Sequence, residues 1–158
     1  MRHLIDTSKD HIVLALHDRV FTGAIDETGA LIEVQPASCP QDKKLLEVTA
    51  VAIHLMGTEF YVAVSRCDKT LCIFKIDFGA KSCELTNTVH TPKRVSSLRF
   101  AMVQQDLPLI VTADFAGDVY AYDLQSQKKR LLLGHTASML TALSITDDGS
   151  IVTSDRDE

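Results

Sequence analysis

Three carboxylates and a guanidinium stand together in Asp155-Arg156-Asp157-Glu158. Carboxylates at that density supply the oxygen ligands a hard cation takes, or an acid–base pair. Arg156 in their midst argues for a charged β-turn instead, either a solvated edge or a docking surface. His135, which follows Gly134, reads as a hydrogen-bonded structural imidazole before it reads as a general base. The clusters Lys43-Lys44, Lys93-Arg94 and Lys128-Lys129-Arg130 are of the kind that meets phosphate, since each cation near a nucleic-acid backbone releases counterions. Taken singly, each also fits a solvated loop. The four cysteines, Cys39, Cys67, Cys72 and Cys83, contain no C-x-x-C pair and no zinc-finger spacing. Reduced thiols packed as small hydrophobes are expected, with neither disulfide nor metal. The sequence holds no G-x-S-x-G elbow, P-loop, G-x-G-x-x-G or H-E-x-x-H. Nucleophilic, phosphoryl-transfer, dinucleotide and zinc chemistry therefore lack a handle, and an enzyme is the poorer reading.

The elements that must position these residues are short strands. Apolar and polar residues alternate in runs bounded by Gly, Asp, Asn and Pro, with few windows of helical period, so the chain is expected to be nearly all β. The segment Val48-Thr49-Ala50-Val51-Ala52-Ile53 recurs as Val95-Ser96-Ser97-Leu98-Arg99-Phe100 and as Leu140-Thr141-Ala142-Leu143-Ser144-Ile145. Strict alternation would put Thr49, Val51 and Ile53 on one face, and likewise Ser96, Leu98 and Phe100, then Thr141, Leu143 and Ile145. Second strands are expected at residues 60–65, 109–113 and 150–154, third strands at 71–76 and 119–124, and fourth strands at 84–89 and 130–133. A recurrence of about 45 residues built of four short strands is the signature of a β-propeller blade. Residues 11–16, 19–25 and 30–34 supply three strands of an earlier, diverged blade, and 35–44 read as a connecting loop. The expected divisions are thus 1–44, two blades at 45–90 and 91–136, and the start of another at 137–158.

At about 45 residues per blade, the 158 residues make roughly three and a half blades, short of the four to eight that close a propeller. The expectation is an N-terminal fragment, marginal or aggregation-prone alone because an open blade exposes backbone groups and an apolar face. A net charge of −5 with 23% charged residues excludes both a disordered polyelectrolyte and a chain-wide polycation. No stretch approaches the roughly 20 apolar residues of a membrane-spanning helix, and Met1 to Asp6 lack the apolar core of a signal peptide, so an intracellular protein with no membrane partner is expected.

Gly134-His135 before the third copy, and Tyr122-Asp123 where Trp-Asp is usual, resemble the WD-repeat pattern. In that pattern a His, a turn Asp and a strand hydroxyl satisfy one another when buried. Asp68, His135 and Asp157 match its His and Asp positions, Ala116 stands at the turn position of the middle repeat, and the chain has no Trp. More specifically, three stretches are similar to one family, the non-catalytic WD-repeat subunit of the eukaryotic tRNA (guanine-N7)-methyltransferase. They are Lys69-Thr70-Leu71-Cys72-Ile73-Phe74-Lys75, then Thr112-Ala113-Asp114-Phe115-Ala116-Gly117-Asp118-Val119-Tyr120, and then Leu133-Gly134-His135, Ser138-Met139-Leu140 and Thr153-Ser154-Asp155-Arg156-Asp157-Glu158. Phe115 departs from the family's usual Lys, Thr141-Ala142 from an acidic position, and Ile145-Thr146 from Ser-Pro.

The resemblance implies a seven-bladed scaffold that binds and steadies a separate catalytic subunit in a heterodimer. That partner binds S-adenosylmethionine and methylates N7 of a guanosine in the tRNA variable loop; the scaffold itself needs no cofactor. It also implies that Asp155, Arg156, Asp157 and Glu158 meet the catalytic subunit, that tRNA is met through the complex with Lys128, Lys129 and Arg130 as candidate contacts, and that the protein resides in the nucleus, with the cytoplasm second. The other readings are a generic WD-repeat adaptor and a propeller enzyme with a central-channel site. The latter needs convergent polar groups on the inner strands, where the repeated segments are mostly small and aliphatic.

Overall fold

The computed structural model describes residues 4–25, 31–34, 47–103, 107–126, 128–134 and 138–157, with side chains at 102, 103, 107 and 108 excepted. His135, Glu158, Cys39, Lys43, Lys44 and the 35–44 loop lie outside the described residues. Fourteen strands and no helix are found among those described. The first sheet takes its strands in chain order, β1 (Ile5–Ser8), β2 (His11–Leu16), β3 (Arg19–Ala24) and β4 (Leu31–Val34). The second is β5 (Val48–Met56), β6 (Glu59–Arg66), β7 (Thr70–Asp77) and β8 (Ser82–His90). The third is β9 (Val95–Val103), β10 (Leu107–Asp114), β11 (Val119–Asp123) and β12 (Lys129–Leu133), and a pair, β13 (Leu140–Ile145) and β14 (Ile151–Asp155), follows. Every pairing is antiparallel.

Tight turns fix this meander. Asp148 Oδ1 accepts from the Ser150 amide at 3.0 Å and from the Thr146 hydroxyl, and Gly149 takes the positive φ of 83° that the β13–β14 hairpin needs. Gly57, at φ 60°, does the same between β5 and β6.

The sheets stack face to face through three apolar layers. Val13, Ala15, Val20 and Val34 of the first sheet meet Val48, Val51, Ile53, Val62, Val64 and Phe74 of the second. The other face of the second, with Ala50, Ala52, Ala63, Leu71 and Ile73, meets Val95, Leu98, Ile110 and Tyr122 of the third. Val111, Ala113 and Val119 then meet Leu140 and Leu143 of the last pair. Alternation of apolar residues on opposite faces is thus what lets the second and third sheets bury both sides. The innermost strands β1, β5, β9 and β13 adjoin one another in turn, which sets the sheets radially about one side, as propeller blades.

Two expectations change. The first sheet has four strands rather than three, β1 being the addition. The strict alternation expected of the repeated segment is broken once in each copy. Val48 pairs with Arg66 but Ala50 with Ser65; Val95 pairs with Asp114 but Ser97 with Ala113; Leu140 pairs with Asp155 but Ala142 with Ser154. Thr49, Ser96 and Thr141 are therefore extra residues in a bulge. The bulge brings residues three apart onto the same face, Val48 with Val51, Val95 with Leu98, and Leu140 with Leu143. In two of the three the hydroxyl turns to the neighbouring strand: Ser96 Oγ donates to the Ala113 carbonyl at 3.1 Å, and Thr141 Oγ1 to that of Ser154 at 3.2 Å, while the Thr49 hydroxyl is buried without a hydrogen bond.

Candidate partner-binding rim

One backbone hydrogen bond recurs in three repeats and defines an edge of the molecule. The residue after the second strand donates to the residue just before the first: Cys67 N to Glu47 O at 2.9 Å, Phe115 N to Arg94 O at 3.1 Å, and Arg156 N to Met139 O at 3.0 Å. The β6–β7 and β10–β11 turns, the segment after β14 and the loops that enter β5, β9 and β13 thus share one rim.

Each turn on this rim is organised by a carboxylate. Asp68 Oδ1 accepts from the Thr70 amide at 2.9 Å and its hydroxyl at 2.6 Å. Asp155 Oδ1 accepts from the Asp157 amide at 2.9 Å. In the middle repeat, where Ala116 has no acid to offer, Asp114 two residues earlier takes the Ala116 and Asp118 amides on Oδ1 at 2.8 and 3.1 Å. Asp114 was not a sequence candidate, although its match with Asp155 in strand register is a signal that finds it. It is 2% exposed, its Oδ2 is buried without a hydrogen bond, and burial pushes its carboxyl pKa up against the pull of the Asp118 and Ala116 amides.

Arg156 and Asp157 form the outermost feature. Arg156 Nε and Nη2 donate to Asp157 Oδ1 and Oδ2 at 3.0 and 3.2 Å, and the Ser138 hydroxyl donates to Oδ2 at 2.7 Å. These side chains are 64% and 54% exposed. The Arg156 guanidinium, and after it the Ser138 hydroxyl, hold the Asp157 carboxyl below the usual carboxylate range. Asp155, Arg156, Asp157 and, in the neighbouring loop, Ser138 are thus brought together. Asp68 belongs to the same rim two repeats away. Arg94 lays its guanidinium over the Phe115 ring, 5.7 Å from the centroid, so a cation stands beside the aromatic ring at this turn.

Lys128, Lys129 and Arg130 are elsewhere. They are exposed at the start of β12, beside the Asp123 turn, at the end of that strand remote from the rim. Among the described residues no three His, Cys, Asp or Glu converge as metal ligands. The described cysteines, Cys67, Cys72 and Cys83, are free thiols, and burial pushes that of Cys72 up. On the inner strands sequence reasoning missed one polar constellation. Asp6 Oδ2 accepts from the Ile53 amide at 3.0 Å and its Oδ1 faces Arg99 Nη1 at 3.8 Å, while Ser8 Oγ accepts from the Leu55 amide at 3.2 Å. These groups tie strands together.

Comparison with known proteins agrees with this geometry. A crystal structure of the mitotic checkpoint complex contains a chain that superposes with a TM-score of 0.69 at 16% identity, covering 96% of this chain and 43% of that one, which shows the fold alone. The non-catalytic subunit wuho of tRNA (guanine-N(7)-)-methyltransferase from Culex quinquefasciatus is 32% identical over 110 residues, covering 68% of this chain and 27% of the relative. The subunit wdr4 from Danio rerio is 31% identical over 120 residues, covering 75% and 27%. The subunit TRM82 of Saccharomyces cerevisiae strain RM11-1a is 33% identical over 107 residues, covering 61% and 23%. The chain therefore spans about a quarter of the length of the curated relatives it matches. The profile of the tRNA methyltransferase TRM82 WD40 domain matches residues 35–131, more than half of the chain. With its four stacked sheets and repeated rim, the chain belongs to the tRNA methyltransferase TRM82 WD40 domain family.

Proposed function

We propose that this chain is part of the propeller of a non-catalytic tRNA (guanine-N7)-methyltransferase subunit, which binds and stabilises an S-adenosylmethionine-dependent catalytic subunit as a heterodimer. The observation that carries the reading is the match to relatives named as such subunits over 68% and 75% of the chain. The rim supports it: a rigid edge presents fixed charges at Asp155, Arg156 and Asp157, which suits preorganised docking of a protein rather than chemistry. Glu158, next in sequence, belongs to the same proposed interface. The partner binds the methyl donor, and the propeller holds no cofactor of its own. Transfer RNA is met through the complex, with Lys128, Lys129 and Arg130 as candidate phosphate contacts, and the complex works in the nucleus.

The test is N7-guanosine methylation of tRNA by the separately purified catalytic subunit, with and without the full-length protein. Stimulation with co-elution is the expected result, and charge removal at Lys128, Lys129 and Arg130 is expected to raise KM for tRNA. Arg156→Glu is expected to weaken the complex while leaving the Tm of the propeller unchanged. A folded full-length propeller that neither co-elutes nor stimulates would leave a generic adaptor.

A further inference from the structure

The Arg156 guanidinium is not simply exposed; it is aimed. Two backbone bonds fix the turn that carries it, Arg156 N to Met139 O at 3.0 Å and Asp157 N to Asp155 Oδ1 at 2.9 Å. The Asp157 carboxylate then grips Nε and Nη2 as a fork, at 3.0 and 3.2 Å. Such bidentate pairing defines both the plane and the direction of the guanidinium. Among the described residues two of its five N–H groups are used, that on Nε and one on Nη2. The Asp157 carboxylate is in turn held at Oδ2 by the Ser138 hydroxyl at 2.7 Å. Ser138 is only 9% exposed and sits in the loop that leads into β13, so the chain of contacts runs from the packed interior of the last repeat to its exposed tip.

We propose that Ser138 and Asp157 are positioning residues, the serine hydroxyl holding the Asp157 carboxylate and the carboxylate holding the Arg156 guanidinium in the orientation the catalytic subunit meets. This rests on the reading of Arg156 as an interface residue. The Asp157 carboxylate reaches both its chain neighbour and the loop that leads into β13. A lone exposed arginine samples many rotamers, and ordering it on association weakens binding; the Ser138–Asp157 chain removes that cost beforehand.

The experiment is a double-mutant cycle on the full-length protein, with Kd for the purified catalytic subunit read by calorimetry and Tm read in parallel. Ser138→Ala is expected to raise Kd about three- to tenfold with Tm unchanged. Ser138→Thr, which keeps the hydroxyl, is expected to hold the wild-type Kd. In an Arg156→Ala background, Ser138→Ala is expected to add nothing. Arg156→Glu weakening the complex while Ser138→Ala and Asp157→Asn leave it unchanged would overturn the positioning role alone. Ser138→Ala raising Kd equally with and without Arg156, or lowering Tm in proportion, would overturn it in favour of a structural role. Arg156→Glu without effect would overturn the interface reading itself and the positioning role with it.

Discussion

Asp114 shows how one carboxylate can stand for another. Its Oδ1 takes the Ala116 amide, as Asp155 takes that of Asp157, and also the Asp118 amide, whose counterpart in the second repeat, Thr70, is capped by the turn acid Asp68; its Oδ2 stays buried without a partner. Removing the acceptor strands those amides, so Asp114→Ala is expected to cost about 1–3 kcal/mol in denaturant unfolding. Asp114→Asn keeps an acceptor oxygen and removes the buried charge. Burial raises the folded-state pKa of Asp114, so as pH rises the unfolded chain ionises first and the folded state loses stability relative to it. The asparagine variant has no such loss. Its stability relative to wild type is therefore expected to rise from below the ordinary carboxylate range up to neutral pH, and a flat difference across that range would exclude a buried, raised carboxyl. The residue escaped notice in the sequence because the repeat pattern directs attention to the position of Ala116. A chemical role moved by two residues is invisible until strand register aligns Asp114 with Asp155.

At the scale of the strand, the bulge is the recurrent device. Alternation and the recurrence of about 45 residues made the later strands legible. The same alternation misplaced Thr49, Ser96 and Thr141, because an extra residue is a register event and leaves no mark in hydrophobicity. It also hid β1. There Ile5 points outward at 57% exposure while Asp6 and Ser8 point inward, so a polar face lies where an apolar one signals a strand. At Ser96 and Thr141 the bulge hydroxyl has a measurable job in bonding the carbonyl opposite it. Ser96 is fully buried, and Ser96→Ala is expected to cost about 1–2 kcal/mol by removing a buried hydrogen bond to the Ala113 carbonyl. The equivalent Thr141 bond is solvent-exposed, and Thr141→Ala is expected to cost less than about 1 kcal/mol. Equal losses at the two sites would show that the hydroxyls act through something other than burial.

Among the described residues, the apolar layers lie between neighbouring sheets, which makes stability a chain of nearest-neighbour interfaces much as in other repeat proteins. Asp6 is the exception that spans three sheets. From β1 it accepts the Ile53 amide of the second sheet and faces Arg99 of the third, and Ser8 beside it takes the Leu55 amide. These amides lie on the edge of β5 that no strand pairs, so the side chains of β1 do there what a further strand would do. The first sheet also buries fewer large side chains in its shared layer than the second does, Val13, Val20 and Val34 against Phe74, Ile53, Ile76 and four valines. Its attachment to the second sheet therefore combines this apolar layer with the polar contacts from β1. Asp6→Ala is expected to speed amide exchange in β2 and β3 of the full-length protein by about tenfold, as for a loss of about 1.4 kcal/mol in local opening, while β10 and β11 keep their protection. Arg99→Ala, which leaves the bond from Ile53 to Asp6 in place, is expected to have the smaller effect, because the partly exposed pair at 3.8 Å contributes little beside a direct amide bond. Exchange that rises equally in all the sheets would mean the molecule opens as one unit and that Asp6 holds no particular sheet.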